Sequence, residues 1–164
     1  MDKKQKYILW FKDISAKDVP LVGGKNASLG EMIRNLSLRG INIPDGFALT
    51  AKAYWHFINK NKLKDKIKET LKDLDISDIK NLQNRGRKLR DLIIRAGLPP
   101  DLTKEIKEAY QKLGAGSVAV RSSATAEDLP TASFAGQHET YLDVEGEEKL
   151  IEAVKKCLSS LFTD

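Results

Sequence analysis

The spacing of apolar residues changes along this chain in a way that separates strands from helices. YILWFKDI (7–14) is a dense run of strand length with its turn. Leu29, Met32, Ile33 and Leu36 then recur at i, i+3, i+4 and i+7, the mark of an amphipathic helix. Gly23 and Gly24 precede that helix, and Gly40 supplies a C-terminal stop. INIPDGFALT (41–50) carries a Pro-Asp-Gly turn and a short strand, and Ala51 to Asn59 reads as helix. The middle is helical throughout. Leu63, Ile67, Leu71 and Leu74 form one stripe. Ser77 is the expected cap of a helix carrying Ile79, Leu82, Leu89, Leu92, Ile93 and Ala96, stopped by Gly97. Pro99-Pro100-Asp101 opens another, with Leu102, Ile106, Ala109, Tyr110 and Leu113, stopped by Gly114. A strand over 117–121, a long loop, a strand over 137–144 and a last helix complete the chain. The last apolar face, from Leu150 through Cys157 to Phe162, runs almost to Asp164 without a cap, which predicts a piece of a longer protein.

Strands alternating with helices predict an α/β (α+β mixed) domain, helix-rich with a small mixed sheet. A length of 164 residues fits one domain with a real core. No repeat or low-complexity segment interrupts it. No apolar stretch approaches the roughly 20 residues of a membrane span, and Tyr7 to Phe11 is too short for a signal-peptide core. The single cysteine, Cys157, has no internal partner and lies on the last apolar stripe, so it reads as a core residue. These features predict a cytoplasmic protein with no membrane partner.

Charge changes the picture only locally. Of the net +5, the segment Lys60–Lys112 holds a surplus of 15 Lys/Arg against 9 Asp/Glu. Tyr110 is the one aromatic there, too few for a stacking nucleic-acid surface, so solvated helix faces are expected and no nucleic-acid partner.

Two places invite chemistry. GGKNASLGE (23–31) sets two glycines and Lys25 at a helix N-terminus, where N–H groups and positive charge suit a phosphate. The glycine spacing is not that of a Walker A loop. SVAVRSSATAEDLPTASFAGQHETYL (117–142) ends an apolar strand, expected to be buried or nearly so, on Arg121. That guanidinium needs either a carboxylate such as Glu127 or Asp128, or a phosphate. The small residues that follow let backbone lie close to a ligand. With an anion bound, Arg121 and Lys25 would be two clamps. The histidines fit less well: His56 sits in an apolar helical cluster, and His138 lacks a second metal ligand or a serine partner.

GGKNASLGEM, IPDGFALTAKAYWHF, AVRSSATAEDLPTASFAGQHETYLDV and CLSSLFTD closely resemble the N-terminal ATP-binding region of the phosphoenolpyruvate synthase (pyruvate, water dikinase) family. The wider superfamily includes pyruvate, phosphate dikinase and rifampicin phosphotransferase. The resemblance implies that residues 1–164 are the first subdomain of an ATP-grasp nucleotide domain. Lys25 and Arg121 would contact ATP phosphates, Gly136 and Thr140 would line the nucleotide, and Ser122, Ser123, Ala124 and Thr125 would form a phosphate-covering loop. The implied reaction converts ATP, pyruvate and water to AMP, phosphoenolpyruvate and phosphate in gluconeogenesis, through a phosphohistidine. The second ATP-grasp subdomain with its Mg²⁺ ligands, the phosphohistidine domain and the pyruvate-binding barrel domain are not in this sequence. No catalytic or metal-ligating residue is therefore expected here, and the fragment alone should be inactive. Neither histidine sits in the family's phosphohistidine motif. His138, where many relatives have glutamine, and Thr131, where an acid is common, depart from the pattern near the loop. The alternatives are a sister phosphotransferase of the rifampicin type and a non-enzymatic nucleotide-binding module.

Overall fold

In the computed structural model, which describes residues 2–123 and 139–162, two short β-ribbons are embedded in seven described α-helices. Ile8–Trp10 (β1) pairs antiparallel with Phe47–Leu49 (β2), Leu9 opposite Ala48. The ladder continues past the strands through Phe11 N–H to Gly46 O and Thr50 N–H to Tyr7 O. Strand alternation divides this ribbon between two cores. Leu9 and Ala48 face a small core with Ile14, Val22 and Ala27. Ile8 and Leu49 face the main core.

The small core is covered by Val19–Val22 (α1) and Gly24–Leu36 (α2), which meet at Gly23. Gly40, in the left-handed region, closes the turn after α2 as its position predicts. The main core gathers Phe57 and Ile58 from Ala51–Lys60 (α3), Leu63 from Leu63–Leu71 (α4) and Ile93 from Ile79–Arg95 (α5). Leu102, Ile106 and Tyr110 come from Pro100–Lys112 (α6), and Leu150, Ala153 and Val154 from Glu147–Ser159 (α7). Each fully buried Leu, Ile or Phe removes enough apolar area from water to contribute about 1.5–3 kcal/mol.

Val118–Arg121 (β3) and Thr140–Val144 (β4) form the second antiparallel ribbon, which lies on α7. Among the described residues the expected small mixed sheet is replaced by these two separate antiparallel pairs. With strands of three to five residues and helices packed on them, each ribbon forms a single ladder. The first strand is also shorter than expected, because the chain turns into a 3₁₀ helix at Phe11–Asp13. The cap of α5 is Asp78, whose carboxylate accepts the Asn81 N–H at 3.0 Å; Ser77 instead bonds Asp75.

Part of the basic surplus in the helical middle has a structural use. Arg85 donates to the carbonyls of Thr70 (2.8 Å) and Lys72 at the end of α4, and Arg90 donates to Phe162 O. Cations satisfy helix C-terminal carbonyls well. Among the described residues no helix is long and apolar enough to cross a membrane.

Candidate functional site

The β3–β4 ribbon has two unlike faces. Val118, Val120, Tyr141 and Val144 turn inward and pack on the main core. Ala119, Arg121, Thr140 and Leu142 lie on the outer, exposed face. The strand bearing Arg121 is thus half-buried, with alternate residues exposed, and not buried through as its sequence predicts. A run of Val and Ala does not by itself distinguish a one-sided ribbon from a central strand.

Arg121 stands directly opposite Thr140, and its Nε donates to Thr140 Oγ1 at 3.3 Å. The ladder runs one residue further, Ser122 N–H to Glu139 O at 3.3 Å. Ser122 is only 6% exposed, and among the described residues the buried hydroxyls of Ser122 and Ser123 have no hydrogen-bond partner. A buried hydroxyl left unsatisfied costs about 1–3 kcal/mol. Among the described residues, the Arg121 side chain makes its one hydrogen bond with a neutral hydroxyl. A guanidinium carries five N–H donors in a fork that fits phosphate oxygens. Ala124, Thr125, Gly136 and His138, with Glu127, Asp128 and Thr131, lie outside the described residues.

The register of this ribbon is shifted partway along. Val118 pairs with Val144 at the base, but Val120 pairs with Tyr141, so β4 holds one extra residue. Asp143, at φ 53°, absorbs it in the left-handed region. Without that bulge, the register of the base would set Tyr141 opposite Arg121. The bulge brings Thr140 there instead, which is how a β-bulge re-aims side chains. Nothing in the apolar pattern of TYLDV announces it.

Lys25 stands elsewhere, on the second residue of α2 beside the small core, and is exposed. Gly23, the residue before α2, adopts φ 80° and ψ 163°, a conformation open essentially to glycine alone. No described side chain caps α2; Asn26 turns back to Val22 O at 2.8 Å. The positive end of this helix therefore carries Lys25 with it.

The remaining sequence candidates have structural roles. The His56 ring stacks on Tyr7 at 4.7 Å and its Nε2 meets the Asp101 carboxylate at 2.9 Å. The hydrogen bond from His56 holds Asp101 below the usual carboxylate range. Cys157 is buried on α7, and burial, assisted by the charge of Glu139, pushes its thiol up to about 12. A magnesium ion needs several hard oxygen ligands. Among the described residues no group of three or more His, Cys, Asp or Glu comes together, so these residues alone do not make such a site.

Sequence reasoning missed the hydroxyl of Tyr110. Its place on an apolar stripe marked it as core, but the hydroxyl meets three backbone groups at the base of the β3–β4 ribbon. The available signal was a tyrosine in the last turn of a helix, four residues before Gly114-Ala115-Gly116.

The family model described as pyruvate phosphate dikinase, AMP/ATP-binding domain, matches residues 19–164. Phosphoenolpyruvate synthase of Aquifex aeolicus is 53% identical over 170 residues, covering 100% of this chain and 20% of that protein. The Helicobacter pylori enzyme of the same name is 50% identical, over 97% of this chain and 20% of its own. That of Escherichia coli K12 is 48% identical, over 96% and 20%. The chain thus spans about a fifth of the length of these relatives. It belongs to the family of pyruvate phosphate dikinase AMP/ATP-binding domains.

Proposed function

We propose that this chain supplies part of the ATP site of a phosphoenolpyruvate synthase, as the first subdomain of an ATP-grasp domain spanning residues 1–164. The observation that carries the proposal is the cross-strand pair of Arg121 and Thr140 on the outer face of the β3–β4 ribbon, followed in sequence by Ser122 and Ser123, whose buried hydroxyls have no partner among the described residues. In a family of AMP/ATP-binding domains, such a cluster suits the phosphate chain of the nucleotide.

The residues would act by position and charge. The Arg121 guanidinium presents paired N–H donors to phosphate oxygens, and Thr140 holds its Nε edge while offering a hydroxyl of its own. Lys25 adds a point charge at the N-terminal end of α2. Ser122 and Ser123, whose buried hydroxyls have no hydrogen-bond partner among the described residues, would begin the phosphate-covering loop. Ala124, Thr125 and Gly136 belong to the same proposal as loop and lining residues. Fixed donors of this kind stabilise charge that develops on a transferring phosphoryl group.

In the complete protein the reaction would be ATP + pyruvate + water → AMP + phosphoenolpyruvate + phosphate, a cytoplasmic, gluconeogenic step. The phosphoryl group would pass through a histidine on another domain of the same polypeptide; His56 is committed to Asp101 and Tyr7. Magnesium would accompany the triphosphate on carboxylates from the second subdomain, and pyruvate would bind the barrel domain. This chain by itself would not turn over.

Lys25→Ala and Arg121→Ala in the complete gene product test the proposal. Each should lower ATP-dependent turnover by about 10²–10³-fold, since each removes a charged contact to the transferring group. Turnover near that of the parent in either variant would remove that residue from the site. Pyruvate-dependent AMP formation by the 164 residues alone would contradict the role given to the missing histidine domain.

A further inference from the structure

Tyr110 is 1% exposed, yet it carries a polar atom. Its hydroxyl lies 2.9 Å from Ala115 O and 2.8 Å from Gly116 O, which share its one proton, and it accepts the N–H of Gly146 at 2.9 Å. The main-chain carbonyl of Tyr110 also accepts the Ala115 N–H at 3.0 Å. One residue at the end of α6 therefore holds two loops that are some thirty residues apart in sequence.

Those loops are the two ends of one ribbon. Ala115 and Gly116 lead into β3, which begins at Val118. Gly146 follows β4, which ends at Val144, and its carbonyl accepts the first helical bond of α7, from Leu150 N–H. The lowest pair of the ladder, Val118 with Val144, is two residues from Gly116 on one strand and two from Gly146 on the other, both bonded by the Tyr110 hydroxyl. Surface contacts grip the same corner: Lys107 Nζ and Gln111 Nε2 both reach the Glu147 carboxylate at 2.9 Å.

Register explains why this base matters at the far end. A two-stranded ribbon has no neighbouring strands to hold its alignment, and a slip of one residue turns every side chain to the other face. Here the base is aligned by a buried three-way hydrogen bond, and the bulge at Asp143 then offsets the upper half so that Thr140 meets Arg121. The loops being clamped contain backbone of low intrinsic preference. Gly114 and Gly146 have φ of 103° and 92°, and Ala115, which lacks glycine's freedom, is held at 52°. Without the clamp these loops would relax, and the ribbon would lose its fixed base.

We propose that Tyr110 is a positioning residue for the nucleotide site, its buried hydroxyl fixing the base of the β3–β4 ribbon in the register that sets Arg121 against Thr140. The inference rests on the ATP-site reading above. Tyr110 does not touch the ligand; it acts through Arg121. A small misplacement of a binding group is costly even when its chemistry is intact.

The test is a double-mutant cycle in the complete gene product, with Tyr110→Phe, Arg121→Ala and both together. Phe keeps the ring and the packing and removes only the hydroxyl. Tyr110→Phe should raise the KM for ATP about tenfold and leave that for pyruvate within twofold. In the Arg121→Ala background the same change should add almost nothing, because the group it positions is gone. A purely structural loss would multiply through unchanged, and that additive result would overturn the proposal. So would an unchanged ATP KM for Tyr110→Phe when Arg121→Ala raises it. If Arg121→Ala leaves both turnover and ATP KM unchanged, the ATP-site reading fails first and this inference with it. Should Tyr110→Phe not fold, hydrogen exchange on the parent protein decides. The Gly146 amide should be protected like a core helix amide before nucleotide is added, and exchange at open-loop rates would overturn the clamp.

Discussion

Gly30 lies so close to the main chain of Ile14 that a Cβ on it would stand 2.5 Å from the Ile14 carbonyl oxygen. That oxygen also accepts a hydrogen bond from Arg34 Nη2, 3.1 Å away, one turn along α2. The contact is between backbones, so a rotamer change cannot relieve it. Gly30→Ala would gain up to about 1 kcal/mol in helix propensity. Pushing α2 off the 3₁₀ turn and breaking the Arg34 bond would cost more, and we expect a net loss of about 2 kcal/mol. The midpoint of chemical unfolding measures it, and an unchanged or raised midpoint would mean the helix has room that the geometry denies.

Asp18 gives stability a defined pH dependence. Burial is the largest single influence on its carboxyl and acts to raise its pKa. Hydrogen bonds from Lys3 Nζ (2.7 Å), Ser15 N–H (2.8 Å) and Ser15 Oγ (3.0 Å), with the Lys3 charge, outweigh it and hold the group below the usual range. A folded-state pKa below the unfolded one adds stability above the unfolded value, near 3.9, and that stability is lost as pH falls through the folded value. Asp18→Asn should therefore be less stable at pH 7 by about 1 kcal/mol, and the gap should close on acidification toward pH 3. A gap that stays constant over that range would show that Asp18 is not held as an anion.

Cys157 should be chemically silent. With its thiol pushed up to about 12 and its side chain buried on α7, almost no thiolate exists at pH 8. We expect a disulfide reagent to leave it unmodified over hours in the folded protein and to react within minutes in denaturant. Rapid labelling of the native protein would place the last helix away from the core described here.

The helices α6 and α7 were legible because the apolar faces read in sequence are those buried in the main core; on α2 the stripe Leu29, Met32, Ile33 and Leu36 stays half-buried or exposed, and the small residues Ala27 and Gly30 are buried instead. The glycine stops at Gly40 and Gly114 were legible too, since both adopt the positive φ that favours glycine. Strand partnership was not. β1 and β2 are joined across some forty residues, and nothing in ILW or FAL states which edge pairs with which. For the site, the motifs led to Arg121, Thr140 and Lys25, but not to their arrangement. Arg121 and Thr140 meet through a bulge, while Lys25 stands on α2 over the other core. Tyr110 escaped because apolar periodicity counts a tyrosine as core and ignores its hydroxyl.

Asp143 is where that hidden register can be tested most directly. It sits at φ 53° within β4, and left-handed backbone disfavours most L-residues while tolerating Asp, Asn and Gly. Asp143→Asn and Asp143→Gly should therefore keep both fold and site, with stability within about 0.5 kcal/mol of the parent. Asp143→Val should cost about 1–2 kcal/mol, because a β-branched residue resists this conformation and favours a regular strand. A regular strand without the bulge would carry the base register upward and set Tyr141 opposite Arg121 in place of Thr140. Nucleotide binding should then fall further than stability does: at a temperature where Asp143→Val is still folded, its ATP affinity should be about tenfold weaker while that of Asp143→Gly is unchanged. Equal affinities for the two variants would mean that the bulge shapes the ribbon without aiming Arg121, and that the pairing with Thr140 does not matter for binding.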